Sequence, residues 1–141
     1  VFFPEIDINK TKANAKRKLR EYPRWKRVAQ DVDTQKITAT YSFEPRQAHS
    51  SPSRPVERLA INRVDAESEL EAIENAFNGL FYSEYRRIIY DKFLNPFKKP
   101  DREIYTELCM SESMYYDELE NALLAFAELY REGALIVEIV N

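Results

Sequence analysis

Nine cations fall between Lys10 and Arg27: Lys10, Lys12, Lys16, Arg17, Lys18, Arg20, Arg24, Lys26 and Arg27, against a single acid, Glu21. Ammonium and guanidinium groups at that density neutralise phosphates and release their condensed counterions, so the run reads as a binding element for a polyanion. A solvated helix face on an acidic protein needs fewer charges. Tyr22 and Trp25 interleave the run, and Arg86, Arg87, Lys98, Lys99 and Arg102 supply further cations downstream.

Other chemistries find little support. The two glycines, Gly79 and Gly133, are far apart, whereas a Walker or dinucleotide-binding loop needs at least two close together. One histidine, His49, and one cysteine, Cys109, are too few for an intramolecular disulfide or a His/Cys metal cluster. His49 reads as a solvated loop residue, and Cys109, between an apolar segment and a turn, as a small buried hydrophobe. Carboxylate pairs such as Glu67/Glu71 and Glu118/Glu120 fall on surface helices as ordinary solvated groups. With no nucleophile elbow and no metal-ligand spacing, the chain reads as a non-enzyme without cofactor or metal, in a reducing intracellular compartment.

The elements that position the cations must come from 141 residues, 44% of them hydrophobic, enough for one domain or one small domain with an appended arm. The net charge of −3 hides two unlike halves: residues 1–63 carry 14 Lys/Arg against 7 Asp/Glu and residues 64–141 carry 7 against 17, so +7 sits beside −10. No stretch approaches the roughly 20 apolar residues of a bilayer span, and Val1-Phe2-Phe3 is halted by Pro4 and Glu5. A soluble, unsecreted protein without a membrane partner is expected.

Periodicity predicts a mainly α chain. Thr11 can cap a helix to about Tyr22 with Ala15, Leu19 and Tyr22 on one face; Pro23 interrupts it, and Arg24–Gln30 restarts as the second limb of a kinked basic arm. Ile37, Ala39, Tyr41 and Phe43 alternate with polar residues, which predicts a short strand at 37–43. Residues 44–55 form a Pro/Ser-rich linker between an N-terminal part, 1–43, and a helical domain, 56–141. There, Val56, Ala60 and Val64 share a face; Asp65 caps or continues that helix; Leu70, Ile73, Phe77 and Leu80 carry its stripe to a stop at Gly79. Ser83 caps a helix to about Leu94 with Tyr85, Ile88, Ile89 and Phe93 inward, ended by Asn95 and Pro96. A short helix from Pro100 and Asp101 turns Ile104, Tyr105 and Leu108 inward and stops near Cys109 and Met110. Ser111 caps the longest helix, through Arg131, with Tyr115, Leu119, Ala122, Phe126 and Leu129 or Tyr130 inward and Gly133 closing it. The tail 134–140 reads as a strand pairing with 37–43 or with a second copy of the chain, so a homo-oligomer through strands is possible. The aromatic residues Phe81, Tyr82, Tyr85, Tyr90, Phe93 and Phe97 read as core and subunit packing.

The short helix, the turn at Cys109–Ser113 and the serine-capped helix have the proportions of a helix-turn-helix, whose second helix presents its first turns to the DNA major groove. Three segments carry a further likeness: FFPEIDINKTKANAKRKLREYPR near the start, VERLAINRVDAESELEAIENAFNGL in the middle and SESMYYDELENALLAFAELYREGALIVE at the end. They resemble the ArpU family of phage-encoded transcriptional regulators from prophages of Gram-positive bacteria, across most of the chain. The resemblance implies that the distal half is similar to the fourth conserved region of sigma factors, a four-helix unit ending in a helix-turn-helix. It implies a role in late phage gene expression and autolysin regulation, in the cytoplasm of a bacterial host.

On that resemblance Ser111, Glu112, Ser113, Tyr116 and Asp117 face the groove, with Asn121 further along, while Tyr115, Leu119 and Ala122 face the core. The sequence departs from the pattern in three places: acids follow the tyrosine pair where cations are usual, Cys109 stands at the turn position that usually takes glycine, and Tyr105 replaces a small residue. Acids repel phosphate and are useful on a base edge only as acceptors from cytosine N4. Double-stranded DNA would therefore owe its attraction to Lys10–Arg27, helped by Arg86, Arg87, Lys98, Lys99 and Arg102, with Ser111, Ser113, Tyr116 and Asn121 toward the bases. Two other readings are a sigma-mimic that binds bacterial RNA polymerase without reading DNA, and a DNA-packaging recognition subunit.

Overall fold

Ala15, Leu19 and Tyr22 recur at four- and three-residue spacing, and all three are buried in one core with Ile73, Leu80, Ile88, Tyr115 and Phe126 from the distal half. Each fully buried Leu, Ile or Phe side chain among them contributes about 1.5–3 kcal/mol relative to exposure. The computed structural model describes residues 3–41 and 53–140, with side chains given outside residues 31–62. It is mainly α: α1 (Ile8–Tyr41), α2 (Ser53–Asn78), α3 (Ser83–Ile89) running into a π-helical turn (Tyr90–Leu94), α4 (Asp101–Glu107), and α5 (Glu112–Leu129) followed by a 3₁₀ turn (Tyr130–Glu132). The basic helix thus packs into the helical body, chiefly against α2 and α5.

The start of α1 differs from the expectation at Thr11. Asp7 is the cap: its Oδ1 accepts from the Lys10 amide at 3.0 Å, and its carbonyl accepts from the Thr11 amide at 2.9 Å. Thr11 is buried, and its Oγ1 accepts from the Val137 amide at 3.0 Å. The C-terminal tail therefore lies along the chain's own beginning. Asp7 donates its amide to Val137 O at 2.7 Å, Ile139 donates to Glu5 O at 2.9 Å, and Ile6 and Glu138 form an isolated antiparallel bridge. Nearby hydrogen-bond partners hold the tail in place of the 37–43 segment.

Residues 37–41 continue α1, so the strand predicted for 37–43 is replaced by helix as far as the described residues reach; 42 and 43 lie outside them. Extending an existing helix gains a hydrogen bond per residue without a new nucleation cost, while the tail that could have paired a strand there is engaged elsewhere. Pro23 lies inside α1 without ending it, which corrects the expected break. Loss of its amide and the ring clash cost about 3 kcal/mol in a helix interior. Packing around it offsets this: Tyr22 is buried and donates its hydroxyl to Glu74 at 3.0 Å, and Trp25 Nε1 donates to Glu21 at 3.0 Å.

Helix α2 begins at Ser53, within the predicted linker; the remainder of that stretch to residue 52, including His49, lies outside the described residues. Asp65 continues the helix. Val64 is 65% exposed while Ala66 is buried, so the inward stripe runs through Ala66, Leu70, Ile73 and Phe77. The cap of α3 is Tyr82, not Ser83, which is the first helical residue. Arg86 secures this corner by donating to the carbonyls of Leu80 and Phe81. Phe93 is buried as predicted, but Phe81 and Phe97 are each 85% exposed, which places them outside the core.

Helix α4 ends in a two-bond cap: the Met110 amide donates to Tyr105 O at 2.9 Å and the Cys109 amide to Thr106 O at 3.1 Å. Cys109 occupies the left-handed position of that cap, φ 57°, and is exposed rather than buried, because this position projects beyond the last helical turn. Ser111 caps α5 as predicted, its Oγ accepting from the Met114 amide at 3.1 Å. Helix α5 stops at Leu129, and Arg131, Glu132 and Gly133 then take positive φ, reversing the chain toward α1.

Candidate functional site

Lys12, Lys16, Arg20 and Arg24 recur every four residues along α1, a stripe of about 18 Å at 1.5 Å per residue. Lys12, Lys16 and Arg20 line one side of a cleft of about 320 Å³ whose other side is Tyr116, Asp117 and Glu120 of α5, with Lys92 and Asp101 completing it. The basic stripe and the first turns of the serine-capped helix are therefore neighbours. Leu19 on α1 and Leu119, Ala122 and Leu123 on α5 are buried behind this surface.

Asp101, the first residue of α4, organises the cleft. Its Oδ1 accepts from Tyr115 at 2.6 Å and from Lys92 at 2.7 Å, and its Oδ2 accepts from Tyr116 at 3.4 Å. Burial pushes the Asp101 carboxyl up, but the hydrogen bonds from Lys92 and Tyr115 and the Lys92 charge outweigh it and hold the group below its ordinary value. Burial first, and then the Asp101 carboxylate, push the Tyr115 hydroxyl well above its ordinary value. The Asp101 charge also raises that of Tyr116, so both remain neutral donors at physiological pH. The rings of Tyr115 and Tyr116 meet edge to face at 5.1 Å, with Tyr105 at 5.6 Å from Tyr115. Tyr105 fills with an aromatic contact the place where the family resemblance calls for a small residue.

Positive charge dominates around Lys16. Burial and the charges of Lys12, Arg20 and Lys92 lower its pKa from the ordinary value, with Asp101 opposing. Lys12 approaches Glu120 at 3.9 Å. Among the described residues Lys16, Arg17, Arg20, Arg24 and Arg27 form no ion pair, and Arg17, Arg20, Arg24, Arg27 and Lys10 are exposed. Lys18 is different: it bridges Glu21 at 3.0 Å and Glu69 at 3.4 Å and lies over the Tyr130 ring. Lys26 is exposed, with its ammonium over the Tyr22 ring at 5.5 Å.

Of the residues placed toward DNA on the last two helices, Ser113, Tyr116, Asn121 and Arg102 are exposed, and Ser111 is exposed while serving as cap. The downstream cations divide. Arg86 is committed to the Leu80 and Phe81 carbonyls, Lys99 pairs with Glu107 at 2.8 Å, and Arg87 approaches Glu107 at 4.0 Å. Lys98 and Arg102 are exposed. Sequence reasoning did not single out Lys92 and Asp101 as site residues. Lys92 reaches the cleft from a π-helical turn, a local winding that ordinary helical periodicity does not report.

Among the described residues there is no group of His, Cys, Asp and Glu that could hold a metal ion, and no helix long and apolar enough to cross a membrane. No protein-family profile matches the chain, and no solved structure does. One curated relative is 47% identical over 138 residues, covering 98% of this chain and 99% of its own: a protein of Streptococcus phage O1205 named "Putative autolysin regulatory protein ArpU".

Proposed function

The chain belongs to the ArpU family of phage proteins, and from that premise we propose that it is a DNA-binding transcriptional regulator and not an enzyme, acting in the bacterial host cytoplasm on late phage genes through promoter DNA and RNA polymerase. One observation carries the reading: unpaired cations of α1 stand directly across a cleft from the exposed first turns of α5. In this reading α4, the Cys109 turn and α5 act as a helix-turn-helix like that of the fourth sigma region. Ser113 and Tyr116 meet base edges and Asn121 lies further along the same helix. The acids of α5 cannot attract a phosphate backbone, and the neighbouring α1 supplies that attraction.

Gel shifts on late-promoter duplex and on a scrambled duplex, over a salt series, test the proposal. Tyr116→Ala is expected to erase the preference for promoter by about 1–3 kcal/mol while leaving binding to scrambled DNA in place. Equal binding of the two duplexes by the unaltered protein at low salt would sink it.

A second reading draws on a different observation. Glu112, Asp117 and the half-buried Glu118 make α5 acidic, and Phe81 and Tyr82 stand exposed at the α2–α3 corner. The acids suit a basic face of RNA polymerase, and the exposed rings suit apolar contacts with it. Retention of purified polymerase by the immobilised protein, without promoter preference in the gel shifts, would favour it.

A further inference from the structure

Two depressions adjoin along α1. The cleft against α5 takes Lys12, Lys16 and Arg20 from this helix, and a second, of about 500 Å³, is lined by Ala13, Lys16, Arg17, Arg20, Glu21 and Arg24. Lys16 and Arg20 belong to both and stand one turn apart, about 6 Å along the axis. The charges around them do not balance. In the first depression Glu120 is answered by Lys12 and Asp101 by Lys92, which leaves Lys16 and Arg20 against Asp117. In the second, the lone acid Glu21 already accepts from Lys18 and from Trp25 Nε1, each at 3.0 Å. Arg17 and Arg24 therefore add to the surplus. Burial first, and then the charges of Lys12, Arg20 and Lys92, lower the Lys16 pKa, and an anion seated here would offset the repulsion among these cations.

We propose that Lys16 and Arg20 seat consecutive phosphates of one nucleic-acid strand, which crosses α1 from the cleft beside α5 toward Arg17 and Arg24. The inference rests on the DNA-binding reading above and sharpens it. The basic helix is a clamp fixed beside the reading helix, and its nine cations are not equivalent. Lys18, adjacent in sequence, is committed to Glu69, Glu21 and the Tyr130 ring and takes no phosphate. Phosphate contacts set register, so a seat this close to Tyr116 fixes which base pair that side chain meets.

Binding of a 20-base-pair duplex and, separately, of linear inorganic polyphosphate is measured across a salt series for four variants of the full chain. Lys16→Gln and Arg20→Gln are each expected to reduce the slope of log affinity against log salt by about 0.9. Lys18→Gln and Arg131→Gln are expected to leave it unchanged. Arg131 pairs with Glu69 at 3.2 Å and lies outside both depressions, so it remains a control if the Lys18 variant fails to fold. Duplex binding whose slope ignores Lys16→Gln and Arg20→Gln, or responds equally to Arg131→Gln, overturns the seat and leaves the DNA reading standing. Polyphosphate binding lost in the Lys16 and Arg20 variants, with no duplex binding by the parent, overturns the DNA reading and keeps an anion seat. Absence of both overturns both.

Discussion

Tyr115 donates its hydroxyl to Oδ1 of Asp101 across 2.6 Å, tying the first turns of α5 to the first residue of α4 over the Cys109 turn. The ring is fully buried, so the hydroxyl has no water to fall back on when the carboxylate is removed. Lys92 shares the same oxygen, which joins the π-helical turn to this pair. One carboxylate thus links α4, α5 and the π-helical turn, beside the Tyr105–Tyr115 ring contact and the buried Ile104.

Tyr115→Phe should lower stability by about 1–2 kcal/mol, the range for a hydrogen bond to a charged partner that is itself part-exposed. Tyr116→Phe should cost clearly less, because its contact is 3.4 Å long and exposed. Urea denaturation midpoints of the two variants measure the difference. Equal losses would mean that Asp101 does not distinguish the two rings.

Acid should unfold the protein through two carboxylates. Burial pushes the Glu69 group up, but hydrogen bonds from Tyr130 and Lys18 and the charges of Lys18 and Arg131 outweigh it and hold it low; Asp101 is held low similarly. A carboxyl with a lower pKa folded than unfolded contributes stability that is fully present above the unfolded value, near pH 4, and lost as pH falls through the folded value. The urea midpoint should therefore drop as the pH is taken below about 4. Glu69→Gln should flatten that acid limb, and an identical limb in the variant would remove Glu69 from the account.

Cys109→Gly should raise stability. A side chain in the left-handed region costs about 1–2 kcal/mol, and the added freedom of glycine in the unfolded chain returns about 0.5–1 of it, so the net gain is at most about 1.5 kcal/mol. A thermal midpoint that falls would contradict the assignment of φ 57° at this residue. The exposed thiol of the parent should also react with an aromatic disulfide reagent without denaturant.

Thr11→Val should release the tail and spare the rest. The Val137 amide loses its acceptor, as the hydroxyl that received it at 3.0 Å is gone. Its hydrogen exchange should speed up by at least tenfold, the equivalent of about 1.4 kcal/mol. Amides in the middle of α5 should keep their protection, and a uniform loss across both would mean that the tail and the core unfold together.

Many local signals were legible where a residue's fate depended on neighbours three or four positions away, although the equally local Asp7–Lys10 cap was misplaced at Thr11. The inward faces of α1 and α5, through Ala15, Leu19, Tyr22, Tyr115, Leu119, Ala122 and Phe126, follow from apolar spacing alone. The Ser111 cap is a single contact to Met114, and so is visible in sequence. The alternation at residues 37–43 misled because a short run with period two cannot report whether a partner strand exists.

The amino-acid order by itself determined a mainly helical chain, its chief buried stripes and a dense block of cations. Tertiary structure decided which of those cations are available. Lys18 lies within a run of like residues, yet its ammonium meets Glu69, 51 positions away, while Lys16 opens onto a cleft made by α5. Thr11 is buried by a tail 126 positions distant. Such pairings turn on which helix faces pack together, and packing is set by the whole core rather than by any local window.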